Sequence, residues 1–252
     1  MRHALITAGT KGLGRKVSEA LKEKGYTLTV TYRKKDEAYY RMKEQWAEES
    51  SRVQFVQGDM VSRQDVERMV EEAYTAFGRL DIVVNNAGPY IFEKKKLADY
   101  SDEEWYRMID GNLSAAFHLA RKAIPIMRRQ QFGRFVTYGF QNAPTAPGWI
   151  YRSAYAAAKS GLVSLTKSIS IEEASHGITA NMVCPGIVTG DFKEADIHEG
   201  REITDESIPV GRPATGGDIA RTILFLTDDD ADMVTGSVIE VTGGVDVLHK
   251  RR

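Results

Sequence analysis

The chain is short of almost everything that would mark it for an oxidising compartment, a membrane or a polyanion. One cysteine, Cys184, stands in 252 residues, which excludes an internal disulfide and fits a reducing compartment. No apolar run approaches the roughly 20 residues of a membrane span. A formal net charge of −1 gives no global attraction to nucleic acid or to a membrane surface. The five histidines, at 3, 118, 176, 198 and 249, lack metal-ligand spacing, so no metal is expected. There is no G-x-S-x-G hydrolase elbow. The first helical pattern follows a strand and carries Lys16, Glu19, Lys22 and Glu23, unlike a signal peptide. No linker, repeat or low-complexity tract divides the chain. These absences leave a soluble cytoplasmic protein of one domain, 1–252, whose basic end His249-Lys250-Arg251-Arg252 is read as solvated.

What is present is alternation. Apolar residues make up 42% of the chain, enough for a large core. Strand-like runs fall at 3–7, 27–32, 53–57, 80–84, 134–138, 178–183 and 237–241. Helical patterns separate them at about 12–25, 35–49, 62–77, 102–130, 152–175 and 216–227. The runs are apolar on both faces, as buried parallel strands are. Ser101-x-x-Glu104 and Thr215-x-x-Asp218 have the capping-box pattern at two helix starts. Strict β-α alternation predicts an α/β fold with a doubly wound parallel sheet of about seven strands and helices on both faces.

The first strand runs into Gly9-Thr10-Lys11-Gly12-Leu13-Gly14, which opens a helix. Glycines there permit a tight turn and a close approach to a diphosphate, which the free N–H groups of the helix start would bind. A P-loop is excluded, because Arg15 and Lys16 stand where its Lys and hydroxyl residue belong. The second strand selects the cofactor. It ends in Tyr32-Arg33-Lys34-Lys35, with no acid before Asp36, where an NAD site wants a carboxylate. Arg33, with Lys11, suits a 2′-phosphate, which predicts NADP(H).

Tyr-x-x-x-Lys occurs at Tyr39/Lys43, Tyr90/Lys94 and Tyr155/Lys159. On a helix that spacing places both side chains on one face, and a nearby ammonium lowers a phenol's pKa. The third copy lies in a helix rich in Ala, Ser and Gly, where a flat cofactor or another helix can come close.

Four motifs in order, the glycine turn, Asn85-Asn86-Ala87-Gly88, Tyr155-x-x-x-Lys159 and Pro185-Gly186, resemble the short-chain dehydrogenase/reductase family. The tail with Gly211-Arg212-Pro213 and Gly243-Gly244 is most similar to bacterial 3-oxoacyl-[acyl-carrier-protein] reductases. The resemblance implies a Rossmann-like fold and carbonyl reduction with NADP(H). It places Gly9, Thr10, Lys11, Gly12, Leu13 and Gly14 at the diphosphate, and Tyr32 and Arg33 at the end of strand two beside the 2′-phosphate. Asp59 and Met60 fall at the adenine, and Asn86, Ala87 and Gly88 at a ribose. Pro185, Gly186, Val188 and Thr189 fall at the carboxamide, with Thr189 substituting for the family's Thr one position later, where this chain has Gly190. Tyr155 becomes the proton donor, Lys159 its partner at the nicotinamide ribose, and Asn112 the holder of a relay water. Three residues between Tyr and Lys imply carbonyl chemistry, since enoyl reductases of the wider family have a longer separation.

One family feature is missing. A Ser after strand five normally hydrogen-bonds the substrate oxygen. Counting from the strand puts Phe140 there, and counting back from Tyr155 puts Asn142 there. Gln141 or Asn142 is expected to donate an amide N–H instead. The alternative is a feebly catalytic NADP(H)-binding sensor or assembly partner. Segments 142–152 and 190–212 flank the catalytic region, and the second is expected to be a mobile substrate lid. Arg128, Arg129 and Arg134 are candidates for docking an acidic acyl carrier. The resemblance implies a homo-oligomer, a tetramer, through the two long helices.

Overall fold

Each apolar run becomes a strand, and the five central ones are buried while the two edge strands, near 53–57 and 238–241, are partly exposed. The computed structural model describes residues 1–246 and 248, so the basic tail 249–252 lies outside the described residues. The strands are β1 (His3–Ile6), β2 (Thr27–Tyr32), β3 (Val53–Gln57), β4 (Ile82–Asn85), β5 (Gly133–Tyr138), β6 (Ile178–Pro185) and β7 (Val238–Val241). They form one parallel sheet in the order β3-β2-β1-β4-β5-β6-β7. The order reverses between β1 and β4. In open α/β sheets the crevice beyond the strands' carboxyl ends at such a switch point binds ligands.

The strand period of two divides the core. Leu5, Val83, Phe135 and Ala180 pack with Val66, Met69, Leu119 and Ile169 on one face. Ile6, Val30, Val84 and Val136 pack with Val17, Leu21, Ile219 and Ile223 on the other. The helices are α1 (Gly12–Glu23), α2 (Glu37–Gln45), α3 (Arg63–Phe77), α4 (Asp102–Ile109), α5 (Ala115–Gln130), α6 (Ser153–Glu172), α7 (Ile197–Arg201) and α8 (Gly216–Thr227), and the side chains just named come from α1, α3, α5, α6 and α8. Both capping boxes form, Ser101 with Glu104 and Thr215 with Asp218.

The boundaries differ where side chains compete with the backbone. α2 starts at Glu37 because the Asp36 carboxylate accepts Tyr39 N–H at 3.1 Å. β4 starts at Ile82, since Leu80 N–H and C=O are taken by the Gln130 side chain. The helical run 102–130 is interrupted by a π-helical segment, Asp110–Ser114. In the segment 190–212 a turn, Gly190–Lys193, precedes α7, which a capping box between Asp196 and Glu199 starts.

Candidate active site

Two turns are stitched together at the switch point. The Asn86 amide donates to Thr7 O at 2.9 Å and to Ala8 O at 3.3 Å, and Ala87 N–H donates to Thr7 Oγ1 at 2.8 Å. The approach is tight enough to demand glycine. A Cβ on Gly14 would lie 2.3 Å from Ala8 O and 2.6 Å from Asn86 Nδ2. A cleft of about 460 Å³ opens here, lined by Thr10, Lys11, Tyr32, Arg33, Asp59, Met60 and Asn86–Gly88 among others. A second cavity of about 680 Å³ shares Arg33, Lys34 and Arg107 with it.

The mouth of the cleft holds carboxylates of its own. Lys11, expected to be free beside Arg33, is ion-paired with Asp36 at 2.7 Å. That hydrogen bond holds the Asp36 carboxyl below its usual range. Gly12 N–H, the first donor of α1, gives its hydrogen bond to Glu194 Oε1 at 2.8 Å. Arg41 holds the other Glu194 oxygen at 2.7 Å. Lys16 pairs with Asp196 at 2.6 Å. The segment read as a charged lid is therefore latched across the glycine turn. The start of α1 thus already receives an anionic oxygen, as its free N–H groups and dipole favour.

Further in, the charges vanish. Lys159 is buried on α6, with Nζ 5.6 Å from the centre of the Tyr155 ring. Tyr39/Lys43 on α2 has nearly the same geometry, 5.8 Å, but Lys43 is exposed. Burial, not spacing, distinguishes the pairs. Burial raises the Tyr155 pKa and lowers that of Lys159 to about 8. The expected lowering of the phenol by its ammonium neighbour is not found: desolvation first, then Tyr90 and Cys184, raise it. Asn112 sits in the π-helical segment, a distortion that recurs at functional sites. Its amide donates to Pro89 O and Met108 O, both at 3.0 Å, while Oδ1 is buried without a partner. A Cβ on Gly88 would lie 2.2 Å from that oxygen.

Around Tyr155 stand aromatic rings. Tyr90 is edge-on at 5.0 Å, Trp149 lies at 6.1 Å and Phe140 at 6.4 Å. Phe140, just past β5, stacks on Trp149 at 5.2 Å. Of the two amides expected to replace the missing Ser, that of Gln141 is engaged elsewhere. Gln141 Nε2 donates to Val245 O at 2.8 Å. Asn142 is exposed in a left-handed conformation, its N–H given to Glu240 at 2.7 Å. Pro185 ends β6 and Gly186 packs against β7, its N–H on Val241 O at 2.8 Å. Val188 is nearly buried and Thr189 exposed.

The family model described as "Enoyl-(Acyl carrier protein) reductase" matches residues 7–246. The chain belongs to the short-chain dehydrogenase/reductase family. A Bacillus subtilis (strain 168) relative, provisionally named the oxidoreductase YtkK, is 60% identical over 253 residues, covering 100% of this chain and 99% of that one. The 3-oxoacyl-[acyl-carrier-protein] reductase FabG of Staphylococcus aureus (strain Mu50) is 34% identical, covering 97% and 98%. A solved structure from Bacillus thuringiensis, provisionally described as a 3-oxoacyl reductase, is 57% identical. It covers 99% of this chain and 100% of its own, with a TM-score of 0.93.

For a short-chain reductase, three neighbours of the site escape sequence reasoning. Tyr90 was legible only as half of a chance Tyr-Lys pair. Arg152 and Glu194 carry no motif at all. The docking cluster loses Arg134, while Arg128 and Arg129 stay exposed. Arg134 is buried and bonded to the carbonyls of Gly133, Gly177, Asp228 and Asp229. Arg128 is engaged twice by Glu173 at 2.6 Å, and Arg129 lies over Tyr74. Among the described residues no helix is long and apolar enough to cross a membrane, and no metal-binding cluster of His, Cys, Asp or Glu occurs.

Proposed function

We propose that this oxidoreductase reduces a carbonyl to an alcohol with NADP(H). One observation carries the reading: the half-buried phenol of Tyr155 and the buried ammonium of Lys159 share one helix face beside the Tyr90 edge of the dinucleotide-shaped cleft. NADPH, when bound, supplies the hydride. Arg33 and Lys34 take the 2′-phosphate at the exposed end, and Leu13 and Gly14 N–H the diphosphate. Asp59 and Met60 border the adenine, while Asn86, Ala87 and Gly88 border a ribose. Pro185–Thr189 orient the carboxamide. Tyr155 gives its proton to the substrate oxygen as the carbon is reduced. Lys159 holds the nicotinamide ribose, and its charge eases that proton's departure. The π-helical segment at Asn112 positions a relay water that returns the proton.

The names of the Staphylococcus and Bacillus thuringiensis relatives favour a 3-oxoacyl substrate on an acyl carrier. The family model's name points to enoyl substrates, but three residues between Tyr155 and Lys159 favour the carbonyl. The protein is read as a cytoplasmic tetramer, assembled through the long helices α5 and α6, with 190–212 as its substrate lid. The second reading, a catalytically weak NADP(H)-binding sensor, is favoured by one observation: Phe140 stands in the place of the family's Ser.

A panel of ketones, 3-oxoacyl and enoyl thioesters with NADPH and NADH is the test. Ketone or oxoacyl turnover with NADPH preferred is the expected result. NADPH binding without turnover of any carbonyl would establish the second reading, and equal use of NADH would remove the 2′-phosphate assignment. Light scattering showing a monomer at micromolar concentration would remove the tetramer.

A further inference from the structure

Tyr90 flanks the Tyr155 ring, as Phe140 does, and carries the hydroxyl that Phe140 lacks. Tyr90 follows the turn of β4 and lines the cofactor cleft, its ring 5.0 Å from that of Tyr155 at 82°. Arg152, at the start of α6 and three residues before Tyr155, donates from Nε to the Tyr90 hydroxyl oxygen at 2.5 Å. The same guanidinium holds the segment after Tyr90, donating to Phe92 O at 3.0 Å and Glu93 O at 2.8 Å. A cation thus occupies a lone pair of the phenol. Its proton meets no protein acceptor among the described residues. A hydroxyl polarised in this way is a stronger donor than an unassisted one.

We infer that the Tyr90 hydroxyl, polarised by Arg152, gives the substrate's carbonyl oxygen the second hydrogen bond that Phe140 cannot supply. This rests on the carbonyl-reductase reading. As hydride reaches the carbon, negative charge grows on the oxygen. Tyr155 transfers its proton to that oxygen. Tyr90 keeps its own proton and steadies the charge, while Arg152 acts as its positioning residue. Loss of one such donor costs on the order of 10²–10³ in rate where the donor is fully engaged.

Tyr90→Phe retains the ring and removes only the hydroxyl. With the best carbonyl substrate of the wild type, kcat is expected to fall by roughly 10²-fold. KM, the Kd for NADPH read by tryptophan fluorescence, and the melting temperature should stay near wild type. Arg152→Leu should lower kcat similarly, the Tyr90→Phe/Arg152→Leu double variant should be no worse than either, and Arg152→Lys should restore part of the loss. Undiminished kcat in Tyr90→Phe would overturn the inference and leave the carbonyl-reductase reading intact. So would an Arg152→Leu loss confined to the melting temperature, because Arg152 would then be a loop staple only. A wild type that reduces no carbonyl overturns both.

Discussion

The two ends of the sheet hold their buried ionisable groups differently. At the amino ends the buried Asp81 carboxylate is saturated, although Arg52 Nε and Thr179 Oγ1 nearby lack a partner among the described residues. Asp81, wholly buried, accepts His3 N–H at 2.8 Å, Arg79 twice at 2.7 Å and Arg2 at 3.2 Å. The Phe132 ring has Arg2 on it at 3.4 Å and Arg134 at 4.2 Å. At the carboxyl ends, Asn112 Oδ1 is buried unpartnered. Tyr155 and Lys159 are desolvated without a compensating hydrogen bond from the protein. A removed partner at the first end exposes a buried charge, at a cost of about 3–5 kcal/mol. Around Tyr155, Lys159 and Asn112 part of that cost is already borne in the folded chain.

The contrast breaks first at Tyr155. Tyr155→Phe should remove turnover by about 10³-fold or more, with NADPH binding within a factor of two in a fluorescence titration. An equal loss of binding would make the phenol structural.

Acid should attack the saturated end. Burial lowers the His3 pKa from 6.5 to about 4. Between those values the unfolded chain binds a proton that the folded chain refuses, so stability is lost as pH falls from 6.5 towards 4. The loss is at most about 3 kcal/mol. Urea midpoints measured from pH 7 to 4 should show it, and His3→Gln should flatten the profile.

Smaller effects belong to the charged mouth between the two ends. Arg33→Ser should weaken NADPH by roughly 10-fold and leave NADH unaltered, read as kcat/KM for each. Glu194→Gln removes a negative charge hydrogen-bonded to Gly12 N–H, beside the helix start proposed to hold the diphosphate, so the Kd for NADPH should tighten by about 2–5-fold. Weaker binding instead would mean that the latch remains closed with the cofactor bound.

Much of this layout was legible from the sequence because it is local. Strand period, the glycine turn and Asn86-Ala87-Gly88 lie within a few residues of what they build. Thr10, Lys11, Tyr32, Arg33, Asp59 and Met60 all line one cleft. The misreadings share a cause: charge pairing over long separations. Lys11 looked available until Asp36 was seen to use one carboxylate oxygen on it and the other on Tyr39 N–H. Arg134 reads as a surface cation in a basic run, yet its long-range partners are backbone carbonyls of two separate segments, at Gly177 and at Asp228–Asp229. Tyr90 and Arg152 are 62 residues apart, and neither residue type announces the other.

The Arg2–Phe132–Arg134 stack also bears on the order of assembly. It gathers side chains near residues 2, 81, 134 and 229, and the Arg2–Asp229 bond alone spans 227 residues. Closing so long a loop requires the intervening strands to be in place first. Contacts of that kind tighten after the barrier is crossed, so Arg2→Ala should hasten unfolding and scarcely slow refolding. The cluster acts as a clasp that sets the native state's lifetime.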